Sequence, residues 1–205
     1  MRRLFACAFL LIAAAASALD VVADSSETSE RAGPPVIIVT GLAHGGTTVT
    51  SELIMTAPGL LGPFETGFLL ANRPAAFINT KPFAEWTQGT GAGALGLAGP
   101  RFRELLRQRT HLDMYAYALR EAPMFHGTNT TRFVDKTPAY WEKLQLILRR
   151  APGVPVVFVY KTRASARRSW VEKRHAGEAS FKGMWNRFTW QLGIAQRHPR
   201  VHAVS

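Results

Sequence analysis

VTGLAHGGTTVTSE, residues Val39 to Glu52, is the stretch on which the fold turns. From Gly41 to Thr48 it fits the phosphate-loop frame G-x-x-x-x-G-K-[ST], except that Thr47 stands where the frame has its lysine. Before it, Val36-Ile37-Ile38-Val39 is a β-branched run that reads as a buried parallel strand. After it, Val49, Leu53 and Ile54 read as a helix. Strand, glycine turn and helix N-terminus together make an anion site, because the first N–H groups of a helix have no intrahelical partners and point at any oxyanion there. Thr47 and Thr48 add hydroxyl donors. A triphosphate with Mg²⁺ would still want the lysine, so the loop raises the question of which phosphate compound it holds.

Outward from the loop, strands and helices alternate. Gln88 to Pro100, QGTGAGALGLAGP, is a glycine-rich, low-complexity loop, and Phe102, Leu105, Leu106, Leu112, Tyr115, Ala116 and Leu119 then recur at helical spacing as one packed helix. Phe133-Val134 is a short strand ahead of Asp135-Lys136-Thr137-Pro138, and Trp141, Leu144, Ile147 and Leu148 mark one face of a further helix, stopped by Ala151-Pro152-Gly153. Val154 to Tyr160, VPVVFVY, is the clearest buried strand; a basic helix from Ser165 to about Ala176 and an amphipathic one with Phe181, Trp185, Phe188 and Leu192 follow it. This order predicts an α/β fold, a three-layer α/β/α sandwich with a central parallel sheet, whose ligands bind at the carboxyl ends of the strands. No internal repeat is visible.

The 205 residues are 47% hydrophobic, enough for one core, and carry 25 Lys and Arg against 14 Asp and Glu. That basic balance favours anionic ligands or acidic polymers, while no nucleic-acid module is present. Residues 1–18 have the charged start (Arg2, Arg3), short apolar core and small-residue exit of a secretory signal, with cleavage expected after Ala18; a short uncleaved anchor is the alternative, since the apolar run falls below the roughly 20 residues that span a bilayer. Residues 19–35 read as a disordered stem and 36–205 as the folded domain. The single cysteine, Cys7, lies inside the signal, so the mature chain would hold no disulfide and no cysteine metal ligand. Asn129-Thr130-Thr131 is a glycosylation sequon in a polar loop.

In such a sheet the strand ends at Val39, Val134 and Tyr160 face one crevice, and each leads into polar or basic residues: Gly41 to Thr48, then Asp135 to Pro138, then Lys161-Thr162-Arg163 with Ser169 on the next helix. In their order and spacing these segments resemble the sulfotransferase family, whose enzymes move a sulfuryl group from 3′-phosphoadenosine 5′-phosphosulfate (PAPS) to a hydroxyl or amine. His44-Gly45-Gly46-Thr47-Thr48 resembles the family's R/K-S-G-T-T loop, which implies a grip on the 5′-phosphosulfate. Lys161 with Ser169 resembles the family's strand-end arginine and the serine eight residues on, which implies a grip on the 3′-phosphate, with Arg163 as a second cation. Asp135 to Tyr140, DKTPAY, resembles a segment of carbohydrate-type and bacterial sulfotransferases. The resemblance implies PAPS as co-substrate, no metal, a Golgi-lumen or secreted location, and a glycan or glycoprotein acceptor, with an acidic polysaccharide favoured by the basic balance of the chain. Because backbone donors and side-chain cations can stabilise the transferring group directly, a Walker lysine is not needed.

The departures carry their own expectations. His44 replaces the loop cation and would supply charge only as imidazolium; Lys161 replaces the usual arginine. Glu65, in GPFETGF, follows the loop helix at the short distance where luminal members commonly place a catalytic glutamate, and is the candidate base, with Lys136 and His44 stabilising charge. Asp135 is the alternative base, or else orients Lys136. Arg167, Arg168, Lys173 and Arg174 either line a groove for an acidic glycan or form a solvated helix face. The expected domain stops short at Val201-His202-Ala203-Val204-Ser205, where the family continues with another strand. Two other readings stand beside transfer: a PAPS- or glycan-binding module, and a P-loop nucleotide kinase.

Overall fold

The computed structural model describes residues 36–174 and 178–205. The expected signal (1–18, with Cys7), the expected stem (19–35) and the side chains of Lys173 and Arg174 lie outside what it describes. Five strands form one parallel sheet: β1 (Val36–Gly41), β2 (Leu60–Leu61), β3 (Arg132–Lys136), β4 (Val156–Val159) and β5 (Val201–Val204), in the order β2-β3-β1-β4-β5. The chain leaves β1 toward β2, returns to β3 beside β1, and then crosses to β4 on the other side. Its direction of winding therefore reverses at β1, and a crevice opens there at the carboxyl ends of the strands.

Helices cover both faces. Against one lies α1 (Thr47–Ile54), with Ile54 and Met55 packed on Val39, Val134 and Val159. Against the other lies the main core, built with α4 (His111–Glu121), α5 (Leu144–Arg150) and α7 (Glu178–Ala195). Fully buried rings fill this side: Phe68 stands edge-on to Phe77 at 5.0 Å, and Tyr115 packs on Phe133 at 5.2 Å. Such edge-to-face pairs add about 0.5–1.5 kcal/mol each beyond burial.

One sequence expectation needs correction. The segment from Phe102 to Leu119 is two helices, α3 (Pro100–Leu106) and α4. They break at Thr110, whose hydroxyl accepts from Asp113 N while the Asp113 carboxylate accepts from Thr110 N, a capping box that starts a new helix. The glycine-rich stretch is a loop, as read, and it buries Leu95 and Leu97 in the core. Val49 faces solvent at 69% exposure and takes no part in holding α1 to the sheet. Finally, Val201–Val204 is itself a strand, parallel to β4 from Val156–Val201 to Val159–Val204.

Candidate active site

The glycine loop leaves β1 at Gly41, where φ is +149° and an added Cβ would come within 2.1 Å of the Val159 carbonyl oxygen, so β1 and β4 meet closely only because this residue has no side chain. Gly46, at φ +103°, is the N-cap of α1, and no side chain caps the helix. The N–H groups of its first turn thus open toward the crevice. Thr47 is buried and Thr48 exposed at this helix start. His44 sits exposed at the loop tip with φ +59°, a left-handed conformation that histidine tolerates better than most residues. Its carbonyl accepts a hydrogen bond from Lys161 Nζ at 2.7 Å, and the same ammonium donates to Ser169 Oγ at 2.7 Å. Lys161 and Ser169, distant from the loop in sequence, therefore stand together at its tip.

The loop borders a pocket of about 260 Å³, shared with Phe64, Glu65, Lys136 and Pro138. Strand alternation explains which side chains reach it. On β3, Phe133 and Asp135 point to the main core, and Val134 and Lys136 point to the α1 side. Lys136, with a side chain only 5% exposed, donates to Glu65 Oε1 at 2.9 Å, and its ammonium lies 4.0 Å from the centre of the Phe64 ring. The ammonium absent from the loop sequence thus enters the pocket from the neighbouring strand. Burial pushes the Glu65 carboxyl above its ordinary value, against the lowering pull of its hydrogen bond and charge contact with Lys136, and the Asp135 charge adds a weaker push upward. A carboxylate so desolvated is a stronger base than an exposed one.

Asp135 does neither of the jobs proposed for it. It is fully buried and turned away from the pocket. One carboxylate oxygen accepts from Thr66 Oγ1 at 2.6 Å, from Tyr140 OH at 2.7 Å and, in a short hydrogen bond, from Tyr115 OH. The other accepts from Thr137 Oγ1 at 2.7 Å, whose oxygen in turn accepts from the backbone N–H of Thr66 and of Gly67. Burial, reinforced by the Asp135 charge, holds both phenols, Tyr115 and Tyr140, well above their ordinary values, so they remain donors. This network pins the segment carrying Glu65 against the end of β3. Sequence reasoning missed it because Thr66 and Tyr115 lie far from the DKTPAY segment; Thr137 and Tyr140, within it, were the available signal.

Arg163 opens α6 (Arg163–Arg174) and faces elsewhere, bordering a second pocket of about 540 Å³ together with Arg167 and Lys182. Among the described residues no cluster of His, Cys, Asp and Glu is arranged to hold a metal ion.

The same architecture is found in the solved structure of the sulfotransferase domain from the Synechococcus PCC 7002 olefin synthase, with a TM-score of 0.59 over 88% of this chain and 70% of that one, at 16% sequence identity. The fold is that of a sulfotransferase. No protein-family model matches the sequence, and no curated protein matches it.

Proposed function

We propose that this chain is a sulfotransferase that uses PAPS to sulfate a hydroxyl group, with a glycan as the acceptor. The observation that carries this reading is the Glu65–Lys136 pair on the wall of the glycine-loop pocket, 2.9 Å apart. Around that pocket the donor set suits a phosphosulfate: uncapped helix N–H groups, the hydroxyls of Thr47 and Thr48, and one ammonium. Lys161 and Ser169, joined beside the loop tip, are placed to meet a 3′-phosphate. Bound there, PAPS supplies an activated sulfuryl group: its S–O bond to the 5′-phosphate breaks as the acceptor oxygen bonds to sulfur, and the electron pair leaves with the phosphate.

Glu65 accepts the proton of the attacking hydroxyl, a task suited to a carboxylate whose pKa burial has raised. Lys136 passes its hydrogen bonds from Glu65 to the departing phosphate oxygen, where a positioned cation in a partly dry site is worth more than in water. A nucleotide kinase is disfavoured by Asp135, the acid of β3, which turns into the core instead of toward the loop. The signal-like residues 1–18 and the exposed position of Asn129 support passage through the secretory lumen.

Calorimetry with 3′,5′-ADP and with ADP tests the donor assignment. The 3′-phosphate should gain roughly tenfold or more in affinity through charge-assisted hydrogen bonds, and the double variant Lys161→Ala with Ser169→Ala should lose that preference. Equal affinities in the parent chain would overturn the assignment.

A further inference from the structure

The glycine-rich segment, which does not line the glycine-loop pocket, builds a second hollow beside the first. Residues Gly91, Ala92 and Gly93, with α2 (Phe83–Gln88), enclose about 420 Å³, and Phe64 lines both this hollow and the glycine-loop pocket. The two spaces therefore adjoin across a single ring. The segment is fastened there: Phe64 N donates to Gly93 O at 2.8 Å, and Gly93 has φ +78° with an added Cβ only 3.2 Å from Phe64 N. At that φ any side chain would be strained, and a Cβ would press on Phe64. Trp86 stands edge-on to Phe64 at 5.8 Å and also rests on Phe83 at 5.3 Å. Even so, Trp86 remains 41% and Phe64 54% exposed, which is unusual for large rings that the core could have covered.

The charge of the hollow limits what it can hold. Among the described residues no lysine or arginine lines it, and the one charged lining residue is Glu85, which pairs at the rim with exposed Lys81 at 3.2 Å. An acidic polysaccharide would meet a carboxylate and no unpaired cation there, whereas the cations near α6 border a different pocket. We propose that this hollow is the acceptor subsite, and that it takes an uncharged, hydroxyl-bearing ring whose flat apolar face lies on Trp86 and Phe64. A neutral sugar and a phenol share that chemistry. The inference rests on the transferase reading: the ring on Phe64 presents its hydroxyl toward Glu65, the next residue along the chain.

The test uses the full chain and three probes: methyl β-lactoside, 4-methylphenol and a heparin-derived octasaccharide. Each is titrated by ligand-observed NMR at fixed ionic strength. Two variants address the hollow. Trp86→Ala removes the stacking ring, and Gly91→Leu fills the space, since a Cβ at Gly91 meets nothing within 4 Å and the core is untouched. At least one neutral probe should bind and weaken by roughly tenfold in both variants, as loss of a ring contact or of the space itself requires. Affinity for 3′,5′-ADP should stay within about twofold, since the glycine loop is unaltered. The lactoside and phenol arms tell the two sources apart. The proposal is overturned if neither neutral probe binds, if their affinities are unchanged in both variants, or if the octasaccharide is the probe that Gly91→Leu displaces. Failure of the donor reading would appear separately, as lost preference for 3′,5′-ADP over ADP.

Discussion

On β3, Asp135 faces the aromatic core and Lys136 faces the glycine loop, and each holds its polar group in a different way. Asp135 is surrounded by hydroxyl donors from Thr66, Tyr115, Thr137 and Tyr140, a closed network with both carboxylate oxygens engaged. Lys136 has one carboxylate partner and one ring, on the wall of an open pocket. A closed network rigidifies, while a cation with spare donors beside open space is available to a ligand. One strand, by its alternation, thus separates construction from chemistry, and the construction serves the chemistry: Thr66 and Gly67, held by Thr137, fix the position of Glu65.

The largest test of this division is Asp135→Ala. It leaves four buried hydroxyls without their acceptor and opens a cavity, and should lower stability by about 3–5 kcal/mol, a large share of the roughly 5–15 kcal/mol of a typical domain. Urea unfolding at neutral pH measures it. A loss below about 1 kcal/mol would mean that the network contributes little, since each stranded buried donor alone is expected to cost about that much.

Lys136→Met should weigh on transfer more than on stability. The methionine keeps most of the volume but leaves the largely buried Glu65 without its partner, so the unfolding midpoint should fall by less than in Asp135→Ala. Sulfate transfer should fall by about 10² to 10³, the usual loss on removing one transition-state donor. Single-turnover transfer and urea unfolding on the same preparation decide it. Were Lys136→Met as destabilising as Asp135→Ala, the two faces of β3 would not differ in role.

The halves of this comparison were unequally legible in the sequence. Lys136, Glu65 and the glycine loop were readable as a site because each carries a local signal: a cation at a strand end, an acid shortly after the loop helix, a glycine frame after four β-branched residues. The sheet was readable for the same reason, through Val36–Val39 and Val156–Val159, which are continuous apolar runs. β2 and β5 were not. Leu60–Leu61 is too short to show a period, and Val201–Val204 includes His202 and Ala203, which an edge strand with one neighbour accepts because half of it meets solvent. The Asp135 network was hidden because its donors come from three separate segments, brought together only by packing. The break before α4 was legible in Thr110 and Asp113, a capping signal that the hydrophobic period obscured.

The smallest effect concerns Glu65, which belongs to both halves: it is positioned by the Asp135 side and paired on the Lys136 side. Glu65→Gln should lower turnover by about 10², with 3′,5′-ADP affinity nearly unchanged, because a base acts on the acceptor's proton. Its pH signature has a definite sign. Burial places the Glu65 pKa above the ordinary carboxylate value, so the base loses its charge, and transfer declines, at a higher pH on acidification than an exposed glutamate would give. The same shift acts on folding. Between the unfolded and the raised folded pKa the native chain binds more protons than the unfolded one, so the Glu65 contribution to stability is favourable below the unfolded value and is lost as pH rises through the folded one. Glu65→Gln should remove both the acid limb of the rate profile and this slope. Lys136→Met should move the limb further up, since the ammonium lowers the Glu65 pKa. A limb that persists in Glu65→Gln would place the titrating group elsewhere and remove Glu65 from the role of base.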